Sequence, residues 1–171
     1  ILALADNLLD VVVSARPLKP AEAAEGLSQV TVLRTAFVLA TSHPGARDLK
    51  AGDLAKIFTA DKPTWPDGTP LRIVLRPRSA TDNDLLGKMS AGRIEAIESA
   101  RKRAEVPIAA TDQDNADQAE RTPGALISTT LTQLKTENRK LQTVPLDGIE
   151  PTLANFESGA YPFAKICTSS F

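Results

Sequence analysis

The chain has 171 residues, enough for one ordinary domain or two small lobes. The composition, 42% hydrophobic and 24% charged, is typical of globular proteins, and the net charge of −1 excludes a general attraction to nucleic acid or to anionic membranes. Aromatic residues make up only 4% of the chain, which argues against base-stacking surfaces, and no stretch approaches the roughly 18 consecutive apolar residues that a membrane-spanning helix needs.

The first residues do not form a signal peptide, because Ile1 to Asp6 contain neither an initiating methionine nor a positively charged region. Leu4, Leu8 and Leu9 lie at helical spacing, which predicts the end of a helix. We therefore expect that residues are missing before Ile1.

Strand-like and helix-like patterns alternate along the chain, which predicts an α/β fold. The apolar run at 10–15 predicts a strand buried on both faces, as in a parallel sheet. Pro162 makes 161–167 an edge strand. The other predicted strands are 30–41, 71–75, 125–128 and 141–146, and the predicted helices are 20–25, 51–58, 93–104, 112–120, 131–140, 151–158 and one that begins at 84.

The strand predicted at 30–41 is unusually long, at about twelve residues. Such a length suits a segment that crosses from one lobe to another, with a return near 142–146. The first lobe is then discontinuous, formed by 1–34 and 144–171, and the second lobe is 35–143. The first lobe would hold only about sixty residues, which is small for an independent core and again indicates a missing N-terminal portion.

Cysteine and histidine each occur once, as Cys167 and His43, so an internal disulfide and a Cys/His metal cluster are excluded. His43 precedes a Pro-Gly turn, which indicates a surface residue rather than a catalytic base. Cys167 is expected to be buried and inert. Since no nucleophile–base pair is visible, we predict no catalytic residues, no metal site and no cofactor.

Trp65 and the basic residues 101–103 are expected to have structural roles rather than to bind a ligand. Trp65 lies in a loop with three prolines and is expected to anchor that loop by packing. The basic residues 101–103 end a predicted amphipathic helix and are expected to form a solvated end that favours the helix dipole.

A loop rich in hydroxyl and guanidinium groups joins the strand at 71–75 to the helix that includes Asp84. A strand that enters a helix in this way leaves several backbone N–H groups without helical partners. Those donors, together with the hydroxyls of Ser79 and Thr81, would suit an anion.

A guanidinium from Arg76 or Arg78 would complete such an anion site. The alternative is that Ser79 or Thr81 caps the helix, because each hydroxyl residue is followed three positions later by an aspartate, an imperfect capping-box spacing. From the residues alone, both interpretations remain open, and the cap is the commoner arrangement.

Four segments, in order along the chain, resemble the signature segments of one family. They are DVVVSARPL at 10–18, DLAKIFTA with TWPDG within 53–68, LRPRSAT at 75–81, and DGIEPT with SGAYPF within 147–163. The chain is similar to phosphate-binding proteins, the periplasmic solute receptors of phosphate ABC transporters. The resemblance implies a two-lobed, type 2 periplasmic-binding-protein fold, a periplasmic location and the membrane component of an ABC transporter as partner.

The same resemblance implies that phosphate or a similar anion binds between the two lobes. The ligands from the second lobe would be Ser79, the backbone of Ala80, Thr81 and an arginine. That arginine would be Arg76, or Arg78 in its place because the spacing to Ser79 is one residue short.

In the first lobe, Ser14 and the loop through Arg16 would contribute to the same site. Two positions depart from the family pattern: Ala80 stands where glycine is usual, and Ala15 stands where phosphate binders carry an acceptor carboxylate. These departures motivate an alternative function, a sensory or protein-interaction module on the same fold with altered or lost anion binding.

Overall fold

The computed structural model describes residues 1–45, 48–91 and 93–171, and its helices and strands alternate along the chain. The fold is α/β, with parallel and antiparallel strands flanked by helices, which confirms the predicted class. The elements in chain order are α1 (Leu2–Ala5), β1 (Val12–Ser14), α2 (Pro20–Ala24), β2 (Gln29–Thr41), α3 (Ala51–Thr59), β3 (Arg72–Ile73), α4 (Asp82–Met89), α5 (Ile94–Arg101), α6 (Asp112–Arg121), β4 (Ala125–Thr130), α7 (Leu131–Thr136), β5 (Gln142–Val144), α8 (Leu153–Glu157) and β6 (Ala164–Ser170).

The chain forms two compact units. Ile1–Thr35 and Ala164–Phe171 make the first unit, and Ala36–Phe163 makes the second. The long strand β2 contributes to both, with its first six residues exposed and its last seven buried. The lobe limits derived from the sequence stay a prediction, and the compact units group residues 144–163 with the second unit.

The first unit is built on antiparallel strands. β1 pairs with β6, with Val13 opposite Ser169, and β6 lies between β1 and β2. The predicted edge strand at 161–167 is therefore wrong, since the strand begins at Ala164 and has neighbours on both sides. The prediction that 10–15 is a doubly buried parallel strand is also wrong, because the pairing is antiparallel and the Val13 side chain is 69% exposed.

The second unit is organised around the buried half of β2. β4 and β5 both pair with it antiparallel, placing Leu39 opposite Ser128 on one side and opposite Val144 on the other. β3 then pairs with β4 in parallel, with Ile73 opposite Leu126. Because β3 and β4 run the same way, the segments that follow them leave the sheet at the same edge.

Helices cover this sheet and complete the core of the second unit. α3 packs against α5, and α6 packs against β4. The core includes Phe58 from α3, Ile97 from α5 and Ala116 from α6. The apolar positions repeat at helical spacing on each of these helices, so one face of each is buried and the opposite face is solvated. Among the described residues, no helix is long and apolar enough to cross a membrane.

Trp65 is fully buried, and its indole N–H donates to the carbonyl of Gly124 at 3.1 Å, which confirms its predicted anchoring role. The ring of His43 stacks on Trp65 at a centroid distance of 5.2 Å, and its Nε2 lies 2.9 Å from a carboxylate oxygen of Asp67. The prediction that His43 is a surface residue is therefore wrong. A polar ring can be buried here because it has both an aromatic neighbour and a hydrogen-bond partner. Cys167 is half-buried.

Candidate functional site

The loop predicted to bind an anion leads from β3 to α4. Leu75 forms an isolated bridge with Ile108, and Thr81 is the N-terminal flanking residue of α4, an eight-residue helix. The loop therefore leaves the sheet at the edge shared by the ends of β3 and β4 and runs directly into a helix N-terminus, where the helix dipole favours negative charge.

Neither hydroxyl caps α4. Thr81 has helical backbone angles, φ −63° and ψ −16°, and no side-chain capping hydrogen bond. In the part of the chain that the structure describes, the N–H groups and hydroxyls of Ser79 and Thr81 find no acceptor. By contrast, the hydroxyl of Thr111 caps α6 by accepting from the N–H of Asp114 at 3.0 Å. The interpretation of Ser79 or Thr81 as a helix cap is therefore wrong.

The backbone of Ala80 has a partner inside the loop. Its N–H donates to the carbonyl of Pro77 at 2.9 Å. Ala80 was predicted to offer this N–H to a ligand, and in this structure the donor is occupied. Within the described residues, the N–H groups of its neighbours Ser79 and Thr81 have no acceptor.

Arg76 is nearly buried, with a side chain 12% exposed, and is held in place by two contacts. Its Nη1 donates to the carbonyl of Ala109 at 2.8 Å, and its Nε lies 3.1 Å from a carboxylate oxygen of Asp112. A guanidinium fixed in this way lies at the base of the loop and carries a carboxylate partner.

Arg78 is the exposed arginine of the loop, with a side chain 68% exposed. Its Nε donates to Glu98 of α5 at 2.6 Å. Hydrogen bonds from Arg78 and then from Arg101 lower the pKa of the Glu98 carboxyl, so Glu98 carries its negative charge at neutral pH.

In the first unit, Arg16 binds Glu22 through both terminal nitrogens, each at 2.7 Å. The hydrogen bond from Arg16 lowers the pKa of Glu22 to about 2, with further help from the Lys19 N–H. The hydroxyl of Ser14 accepts from the Arg16 N–H at 3.3 Å. Arg16 is therefore part of a bidentate pair that shapes its own loop.

The structure thus brings Arg76, Arg78, Ser79, Ala80 and Thr81 together in one loop and describes Ser14 and Arg16 in the other unit. All three predicted arginines have carboxylate partners.

Asn83 and Arg101, which had no predicted role in the anion site, support the loop from behind. The side-chain amide of Asn83 donates to the carbonyls of Pro77 and Ala80, at 2.7 and 3.0 Å. Arg101 donates to Asn83 Oδ1 at 2.7 Å, and its side chain is only 9% exposed. The prediction that 101–103 is a solvated end is therefore wrong for Arg101 and Arg103, and only Lys102 is exposed. Arg103 also turns inward, to the carbonyl of Ala60.

A cavity of about 620 Å³ lies elsewhere in the second unit, along the outer edge of β3. Its walls include Lys62, Ile73, Arg103 and Val106, and none of the predicted ligand residues lines it. Among the described residues, no group of three or more His, Cys, Asp or Glu side chains could hold a metal ion.

The family model of the PBP superfamily domain matches residues 1–168. The chain belongs to the PBP superfamily. A search of curated protein sequences finds no significant match to it.

Several solved structures have the same fold at low sequence identity. A candidate phosphate ABC transporter substrate-binding protein from Clostridium perfringens, with bound phosphate, superposes with a TM-score of 0.80 at 16% identity, over 99% of this chain and 68% of its own. An ABC-type phosphate transport receptor from Vibrio cholerae gives 0.65 at 12%, over 98% and 69%. A human phosphate binding apolipoprotein gives 0.72 at 12%, over 94% and 66%.

These likenesses confirm the predicted fold, that of the phosphate-binding type 2 periplasmic binding proteins. The chain spans about two thirds of the length of each of the three structures.

Proposed function

We propose that this chain is a solute-binding protein that captures phosphate or a related oxyanion and delivers it to an ABC transporter. The observation that carries the proposal is the loop before α4, where Ser79 and Thr81 each present a backbone N–H and a hydroxyl without an acceptor in the described part of the chain. Membership of the PBP superfamily and the likeness to proteins named for phosphate binding support it.

The chemistry of the loop suits an oxyanion. Ser79 and Thr81 offer two N–H and two hydroxyl donors to the oxygens of a tetrahedral anion, and the dipole of α4 adds positive potential at the same place. Arg76, nearly buried at the base of the loop, would supply the compensating charge. Its pairing with Asp112 means that the carboxylate either shifts on binding or remains beside the ligand.

The proposal also includes residues from the first unit, a location and a partner. Ser14 and Arg16 would contribute from the first unit. The location would be extracytoplasmic and the partner the membrane component of an importer, as the name of the Vibrio cholerae receptor implies for that protein. The three named relatives are all named for binding or transport rather than for catalysis, which supports a binding protein rather than an enzyme.

Calorimetry of the purified chain with phosphate, sulfate and molybdate tests the proposal. We expect binding of at least one of these anions, and a loss of about tenfold in affinity for Ser79→Ala or Thr81→Ala, as expected when one charge-assisted hydrogen bond is removed. The matched control is Thr111→Ala, which removes a true helix cap and should lower the melting temperature while leaving anion affinity unchanged. No heat and no thermal stabilisation with any of the three anions would refute the proposal.

A second function, a sensory or protein-interaction module, is favoured by one observation: each predicted arginine already has a carboxylate partner. Such pairing lowers the net positive charge available to an anion. The two functions differ in their response to Ser79→Ala and Thr81→Ala. A module would bind a protein partner without added anion, and neither substitution would weaken that binding.

A further inference from the structure

The side chain of Asn83, near the start of α4, lies behind the loop and contacts three of its carbonyl oxygens. Its Nδ2 lies 2.7 Å from Pro77 O, 3.0 Å from Ala80 O and 3.2 Å from Arg78 O. An amide nitrogen carries only two hydrogens, so at least one of them is shared between two acceptors. The residue is buried, and these contacts take up its whole donor capacity.

Arg101 fixes the orientation of that amide. Its Nη2 donates to Asn83 Oδ1 at 2.7 Å, which requires the oxygen to face α5 and the nitrogen to face the loop. The same guanidinium donates through Nη1 to the carbonyl of Arg76 and through Nε to Glu98 at 3.1 Å. Arg101 therefore connects α5 to the first residue of the loop and to the amide behind it.

The contacts between Asn83 and the loop carbonyls also determine the direction of the neighbouring N–H groups, because both belong to the same peptide units. In a trans peptide the C=O of one residue and the N–H of the next point in opposite directions, and the described chain contains no cis peptide bond. Drawing the carbonyls of Arg78 and Ala80 toward Asn83 directs the N–H groups of Ser79 and Thr81 away from it. Those are the two N–H groups of the proposed oxyanion site that have no acceptor.

We propose that Asn83, oriented by Arg101, is the positioning residue of the oxyanion loop. It does not touch the ligand, and it acts by holding carbonyl oxygens away from the anion and N–H groups toward it. The inference rests on the proposed function, because it assigns a role within that site. An anion would be repelled by any carbonyl that turned toward it, so the direction of each peptide unit decides whether the loop attracts or rejects the ligand.

Asn83→Leu tests the role, because leucine has a similar size and cannot donate to the carbonyls. Arg101→Lys is the second variant, which keeps the charge and is expected to fold even if Asn83→Leu does not. Lysine lacks the planar guanidinium that reaches Asn83, Arg76 and Glu98 together. The matched control is Asn115→Leu. Asn115 of α6 is also a buried asparagine, and its side chain donates to the backbone carbonyl of Ser128 at 2.9 Å.

Two measurements are made on each folded variant. Calorimetry with phosphate should give a dissociation constant raised by about tenfold or more for Asn83→Leu and Arg101→Lys, and unchanged for Asn115→Leu. Amide chemical shifts of the ligand-free protein should change at Ser79 and Thr81 in the first two variants, and not in the control. A purely structural role of Asn83 would lower the melting temperature without moving these two amides.

The outcomes separate the two proposals. If the wild-type chain binds none of phosphate, sulfate or molybdate, the proposed function fails and the positioning role fails with it. If the wild type binds phosphate and both variants bind it with wild-type affinity, the positioning role alone is overturned. Weaker binding with unchanged loop amides would also overturn it, because the effect would then not arise through the direction of the peptide units.

Discussion

The hydroxyl of Tyr161 donates a hydrogen bond to the carbonyl of Phe37 at 2.9 Å, across 124 residues of sequence. Both side chains are fully buried within the second unit. Phe37 also donates its N–H to the carbonyl of Phe163 at 3.0 Å, so the segment around Tyr161 is bound to β2 at two points. Burial raises the pKa of the Tyr161 hydroxyl well above its ordinary value.

The raised pKa predicts a loss of stability at high pH. The folded state keeps the Tyr161 proton at pH values where the unfolded chain releases it, so the free energy of unfolding should be unaffected below about pH 10 and should fall as pH rises beyond it. Tyr161 is the only tyrosine, so tyrosinate absorbance reports its ionisation directly. We expect that absorbance to appear together with loss of the folded circular dichroism signal.

Tyr161→Phe is the control for this prediction. It should be less stable at neutral pH by about 1 kcal/mol, because the hydrogen bond to Phe37 is lost, and its stability should no longer show the alkaline component that belongs to Tyr161. Tyrosinate absorbance that rises near pH 10 while the wild-type protein remains folded would contradict the prediction.

Gly124→Ala is expected to destabilise the second unit strongly. Gly124 has a φ of +74°, and an added Cβ would lie 2.3 Å from the backbone oxygen of Pro70, a contact that no side-chain rotation relieves. The same residue accepts the hydrogen bond from Trp65. We expect a loss of at least about 3 kcal/mol in urea unfolding followed by the fluorescence of Trp65, the only tryptophan.

Gly148→Ala separates the steric contact from the backbone strain. Gly148 has a similar φ of +81°, and its added Cβ would meet nothing within 4 Å. Its replacement should therefore cost only about 1 kcal/mol, the cost of a left-handed conformation for alanine. Equal losses for the two variants would show that the contact with Pro70 does not matter.

The carboxylate of Asp67 predicts a loss of stability in acid. Hydrogen bonds from the Thr69 hydroxyl and N–H, at 2.7 and 3.0 Å, and a further one from His43 lower its pKa to about 2. A lowered folded-state pKa stabilises the protein above the ordinary value of 3.8, and this contribution is lost as pH falls toward 2. Melting curves of Asp67→Asn should therefore start lower at pH 6 and fall less steeply between pH 4 and pH 2.

Thr69→Val gives an intermediate case, because it removes the hydroxyl donor and keeps the N–H donor. Its acid dependence should lie between those of the wild type and Asp67→Asn. Identical curves for all three proteins would mean that the cluster around His43 contributes nothing to acid stability.

The sequence predicted the α/β class and the position of the loop between β3 and α4, because both depend on local patterns. Leu71 to Leu75 alternates as a strand should, and hydroxyl residues precede a helix. The burial of β1 could not be predicted, since an apolar run does not specify which elements cover it. Val13, within that run, is exposed.

The support behind the loop was hidden for a related reason. Asn83 and Arg101 are separated by 18 positions, and only the packing of α4 near α5 brings their side chains together. A charged residue in the last turn of a helix is usually solvated, so nothing local marks Arg101 as buried. Asn83 precedes the predicted helix, which begins at 84, so no local pattern marks it as a buried support either.

Glu98→Gln should strengthen phosphate binding. Glu98 holds Arg78 at 2.6 Å and its charge opposes an anion at the loop, whereas glutamine keeps an acceptor for the guanidinium without the negative charge. We expect affinity for phosphate to rise by about threefold to tenfold at low ionic strength, with a smaller gain at high salt because exposed charges are screened. The control Asp53→Asn removes a carboxylate from an exposed pair with Lys56 in α3, and it should leave phosphate affinity unchanged.

In Arg78→Ala, phosphate affinity should fall, and adding Glu98→Gln to it should restore less than the same substitution gains in the wild type. Equal gains in both backgrounds would show that Glu98 acts on the anion directly rather than through Arg78.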